Sequence, residues 1–151
     1  MHDDELDFLV RREVYDVTIR TGCVPAATEL AAALHETNER VRDALARLAA
    51  GRVFVLGDDG GIVMAAPFSG VPTPFTVVVT GVANDISYFA NCIWDALGVA
   101  AMLHADARIA TTCEDCGAAL GVRVENGAAL GEGLVHFAIP ARRWWDDIVF
   151  T

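Results

Sequence analysis

The 151-residue chain contains no lysine, and its 11 arginines face 21 acidic groups for a formal charge of −10. Such a field repels nucleic acid and anionic lipid at long range, so binding a polyanion would require a local basic patch. Long apolar runs are also missing. Residues 75–79 and 86–89 are broken by polar residues well short of the ~18 that a membrane span needs, and no span is expected. The first residues lack the basic and apolar regions of a secretory signal, since they include Asp3, Asp4, Glu5 and Asp7. A cytoplasmic location is therefore expected. A glycine-rich phosphate loop is absent as well: residues 57–61 read as a hairpin turn, and 127–133 has neither a G-K-S/T nor a strand-to-helix setting. His2, His35, His104 and His136 show no metal-ligand spacing and read as ordinary surface or half-buried histidines.

Apolar residues make up 54% of the chain, enough to bury a real core. Residues 3–20 place Leu6, Phe8, Leu9, Val14, Tyr15, Val17 and Ile19 near helical spacing among charges, predicting an amphipathic first helix that ends at Gly22-Cys23-Val24-Pro25. Thr28 is the expected cap of a second helix through Leu34, and Thr37 that of a third from Asn38 to Ala49. A hairpin follows, with strands at 53–56 and 62–65. Three helices and a hairpin suggest a winged-helix-like unit over residues 1–66, with the third helix in the recognition position. Residues 67–74 hold three of the five prolines and predict an irregular joint. In the second unit, 75–151, strands are expected at 75–80, 106–112, 120–125, 133–139 and 148–151. A helix is expected over 86–97, where Phe89, Ile93 and Leu97 recur every fourth residue. The fold class is α+β.

Four cysteines in a cytoplasmic chain are better read as thiols, ligands or nucleophiles than as disulfides. Cys92 and Asp95, three residues apart on the expected helix, would share one face and act on one bound group. A thiolate is a soft ligand and strong nucleophile, and a neighbouring carboxyl can take or give its proton, so the pair suits heavy-metal or covalent thiol chemistry. Spacing alone favours a blander reading, a buried inert thiol beside a solvated carboxylate, because C-x-x-D is common. Cys113 and Cys116 sit in an expected turn between strands and are further candidate metal ligands. A structural zinc site needs four ligands, and no second C-x-x-C is present, so a plain turn is preferred to zinc. Arg40, Arg42 and Arg47 could touch phosphates, yet residues 1–70 carry seven arginines against twelve acids, so nucleic acid is disfavoured as a partner. Trp144 and Trp145 are expected to anchor the last strand or, alternatively, to wall an apolar pocket.

The stretch Tyr88-Phe89-Ala90-Asn91-Cys92-Ile93-Trp94-Asp95-Ala96-Leu97-Gly98, followed by Asp106-Ala107-Arg108-Ile109, resembles the organomercurial (alkylmercury) lyase family. Residues 67–75 and Val135-His136-Phe137-Ala138-Ile139-Pro140 resemble family segments too, so the likeness extends over nearly the whole chain. It implies a winged-helix-like region before an unusual α+β domain, with Arg108 and Cys113 at the family's strand arginine and turn cysteine. It also implies cleavage of a carbon–mercury bond, with Cys92 as first thiolate and Asp95 as proton donor. No resident cofactor is implied; the partners would be an organomercurial or another soft-metal or thiol-reactive ligand, and free thiols. On the family pattern Cys113 is structural. The family's second catalytic cysteine falls about where Ile148-Val149-Phe150-Thr151 runs, and no cysteine stands there. The sequence is cut just before it, or Thr151 takes its place, or the chain is a divergent member. The competing functions are a lyase-fold protein that binds without cleaving, and a winged-helix regulator whose thiols sense a metal.

Overall fold

A computed structural model describes residues 2–80, 85–113 and 115–149. The fold is α+β: three helices and a small antiparallel sheet, then a five-stranded antiparallel sheet crossed by a fourth helix.

Helix α1 (Asp3–Thr21) turns Leu6, Val10 and Val14 inward at helical spacing. They meet Leu30 and Ala31 of α2 (Ala27–Leu34) and Val41, Ala44, Leu45 and Leu48 of α3 (Asn38–Ala50). Thr37 caps α3 as expected, accepting from the Arg40 N–H at 3.3 Å. Helix α2 begins earlier than its threonine suggested. Ala26 holds the cap position, and the Glu29 carboxylate reaches back to the Ala26 N–H at 2.7 Å, so an acid at the third position of the first turn does the work assigned to Thr28.

Strands β1 (Val55–Leu56), β2 (Ile62–Ala65) and β3 (Phe68–Ser69) form the small sheet in that order. The third strand lies inside the proline-rich stretch read as irregular. Gly70 makes the pairing possible, because a Cβ there would run into the Ile62 carbonyl.

The larger sheet has the order β5-β4-β6-β7-β8, built from β4 (Thr76–Val79), β5 (Ile86–Phe89), β6 (Ala107–Thr112), β7 (Ala119–Glu125) and β8 (Ala128–Leu130). Helix α4 (Ile93–Leu103) links β5 to β6 and buries Ala96, Val99 and Ala100 against Val77, Val79, Tyr88 and Ile109. The helix expected over 86–97 is therefore corrected to a strand followed by a later helix. Ile86, Tyr88 and Ala90 point inward while Ser87 and Phe89 point out, and this period of two outweighs the fourfold recurrence of Phe89, Ile93 and Leu97. The strand expected at 133–139 is absent, and the edge strand beside β7 is the unexpected β8. Ile148 and Val149 follow a short 3-10 helix (Ala141–Asp146) in a turn, not a strand, and the remainder of 148–151 lies outside the described residues.

Two buried clusters form the core, and Tyr15 and Val24 pack against both. Gly22 fixes how β5 meets α1: its φ of 80° closes the helix, and a Cβ there would overlap the Ser87 carbonyl. The Tyr88 hydroxyl also donates to the Ile19 carbonyl at 2.7 Å. Together these contacts set the strand that delivers Asn91 and Cys92.

Candidate active site

Cys92 is the N-cap of α4. Its backbone is extended, three residues past the end of β5, and its Sγ accepts from the Asp95 N–H at 3.4 Å, in the manner of a capping serine. Cys92 and Asp95 thus meet through cap geometry, and not as neighbours on one helical face. The cap places sulfur among free N–H groups at the positive end of a helix, where a thiolate is favoured. Burial acts the other way and is larger, so the Cys92 thiol is held above its ordinary range. The Asp95 charge adds to the rise, and the backbone N–H groups of Asp95 and Trp94 oppose it.

Asp95 is raised too, by loss of solvent, against the opposing effect of Asn91. The Asn91 amide donates to Asp95 Oδ2 at 2.9 Å and to the Phe68 carbonyl at 3.3 Å, with a longer contact to the Pro67 carbonyl. It ties the carboxyl to strand β3. Asn91 Oδ1 is buried with no hydrogen-bond partner among the described residues, leaving an acceptor on the amide that positions the acid. Tyr15 stands near, its hydroxyl donating to the Ala66 carbonyl at 3.0 Å. Burial raises its pKa, and the Asp95 charge adds to the rise.

A cavity of about 290 Å³ opens over this pair. Arg52, Phe54 and Met64 close it from the first half of the chain, Trp94 from α4, and His136, Phe137, Trp144 and Trp145 from the C-terminal segment. Trp94 meets Phe137 edge-on with centroids 5.9 Å apart, and Phe137 lies 5.4 Å from Trp144. Trp144 is steadied by its indole N–H on the Ile139 carbonyl at 2.8 Å. The tryptophan pair therefore walls a pocket and anchors no strand.

His136, Arg52 and Asn91 are cavity residues that the sequence did not single out. Asn91 had a signal, an amide one turn before the acid; Arg52 had none, because it reaches the cavity from the other end of the chain. Cys113 and Cys116 do not line this cavity. They lie in the β6–β7 turn, which is closed by the Cys113 N–H on the Ala118 carbonyl at 2.8 Å. Among the described residues no group of three or more His, Cys, Asp or Glu side chains is arranged to hold a metal ion.

The model of the alkylmercury lyase family, MerB, matches residues 68–151, more than half of the chain. The chain belongs to the alkylmercury lyase family. The matched region includes β3, the Cys92 cap, Asp95 and the aromatic wall. Among solved structures, the one described as the mercury-bound form of MerB2 is similar, with a TM-score of 0.59 and 26% identity. The likeness covers 83% of this chain but 58% of that one, so the chain spans little more than half the length of its solved relative. The comparison with curated proteins returns no match. No helix among the described residues is long and apolar enough to cross a membrane.

Proposed function

We propose that the chain acts on organomercurials, capturing them at Cys92 and cleaving the carbon–mercury bond with a proton from Asp95. The observation carrying this reading is the shared cap: a half-buried thiol and a half-buried carboxyl joined through one backbone N–H, beneath an apolar cavity. Family membership and the mercury-bound MerB2 relative support it.

The chemistry balances without a redox step. An organomercurial arriving on a carrier thiol exchanges ligands with Cys92, so a sulfur–mercury bond forms at the enzyme, one breaks at the carrier, and the Cys92 proton leaves with the carrier sulfur. Mercury(II), a soft electrophile, displaces that proton even though burial favours the thiol. Asp95 then gives a proton to the mercury-bound carbon, whose electron pair forms the new C–H bond. The hydrocarbon departs, and mercury(II) stays on sulfur. A carboxyl raised by burial retains its proton further up the pH scale, as a donor requires.

Once the carbon leaves, mercury needs a second sulfur. Among the described residues Cys92 is the one cysteine of the cavity, so a free thiol of the cytoplasm is the proposed second ligand, and release should depend on added thiol. The test is peptide mapping by mass spectrometry after exposure to phenylmercury. The mercury adduct should sit on Cys92 and be absent from that position in Cys92→Ser, whose hydrocarbon output should fall at least ~100-fold, sulfur being far the better ligand. Undiminished output from Cys92→Ser would remove the assignment.

A further inference from the structure

We propose that the organic group preferred by this site is an aromatic ring bearing an anionic substituent, with Arg52 as the residue that reads the charge. The inference rests on the organomercurial reading above and adds to it a substrate class.

The walls argue for the ring. Trp94, Phe137 and Trp145 are 55%, 43% and 42% exposed, although they surround the reactive pair. Aromatic faces left open to water beside a reactive sulfur gain by covering a flat apolar group, and ring-on-ring contact adds to that gain. A methyl group is too small to touch three such walls at once.

Arg52 argues for the charge. It follows α3 with φ of 61°, a left-handed conformation that glycine ordinarily supplies at the end of a helix. The turn is closed by the Arg52 N–H on Ala49 and the Val53 N–H on Leu48, both at 2.9 Å. From this turn the guanidinium carbon reaches 5.3 Å from the Trp145 ring centroid, at the cavity wall. Stacking on the indole leaves the donor edge of the guanidinium for an acceptor. Among the described residues Arg52 has no carboxylate partner, while Arg143 beside the same wall is taken by Asp146. An anionic group on a ring held by the aromatic walls would meet Arg52, the one arginine among the described residues that line the cavity.

The test compares capture at Cys92 of three probes in one neutral carrier thiol: phenylmercury, 4-carboxyphenylmercury and methylmercury. The rate is followed by mass spectrometry of the Cys92 peptide, which separates it from reaction at the exposed Cys23 and Cys116. The carboxylate probe should react about fivefold faster than phenylmercury, the scale of one partly exposed charge pair. That ratio should fall toward one in Arg52→Gln, stay above one in Arg52→Lys, and shrink as salt is added. A ratio of one in the unmodified protein, or a preference that survives Arg52→Gln, overturns the proposal. Methylmercury needs neither wall nor guanidinium and so reports on Cys92 alone. If it is captured while both aryl probes fail, the substrate class is wrong and the lyase reading stands; if none of the three reaches Cys92, the lyase reading itself is overturned.

Discussion

At Asp95 the fold holds an acid in a place that costs stability. Its folded pKa lies above the unfolded value, so the native state binds the proton more tightly. The associated stability is fully present below the unfolded carboxylate pKa and is lost as pH rises through the folded one. Asp95→Asn, which keeps an acceptor for the Asn91 amide, should therefore unfold at a higher temperature than the parent at neutral pH. The difference should vanish below about pH 4, where the unfolded carboxylate is also protonated. A variant less stable than the parent at neutral pH would contradict this account of the site. Asn91 acts on the same equilibrium from the other side, since its N–H favours the charged carboxylate. Asn91→Ala should push the Asp95 pKa higher and move the pH limit of hydrocarbon release upward, a shift read directly from single-turnover rates against pH. An unmoved profile would leave Asn91 as a packing residue.

The elements around Asp95 were unevenly legible in the sequence. α1, α3, β4, β6 and β7 follow local periodicity and lie within a residue or two of their expected bounds. The segment through Cys92 misled because two periods overlap there: Phe89, Ile93 and Leu97 suit a helix, Ile86, Tyr88 and Ala90 a strand, and only pairing with β4 decides between them. Cys92 and Asp95 were recognisable as a pair, but their cap relationship was not, since a cysteine is not an ordinary cap. The C-terminal segment was illegible for another reason. Its order comes from aromatic contacts across the cavity, and no local pattern encodes those contacts. Gly22 offers a test of how elements aim the site. Gly22→Ala meets both an unfavourable φ and the Ser87 carbonyl, and should destabilise the fold by more than ~2 kcal/mol. A chemical melt showing less than half that loss would mean β5 does not depend on this approach.

Across the whole molecule, charge separates the competing functions. Arg47 grips Asp7 at 2.6 Å and Arg40 grips Glu36 at 2.6 Å, so two of the arginines on α3 are already engaged by acids. With a net charge of −10 besides, the protein is expected to show no salt-sensitive affinity for duplex DNA. Binding that weakens steeply with salt and is lost in Arg40→Ala would revive the regulator. The central claim, that one acid protonates a carbon held on one sulfur, is tested most directly by single-turnover release of benzene from phenylmercury. Gas chromatography would follow the unmodified protein and Asp95→Asn at equal concentration with the same added thiol. Both proteins should load Cys92, while benzene release from Asp95→Asn should fall by roughly 10²-fold or more, the usual scale of a lost general acid. Equal benzene release from the two loaded proteins would contradict the account.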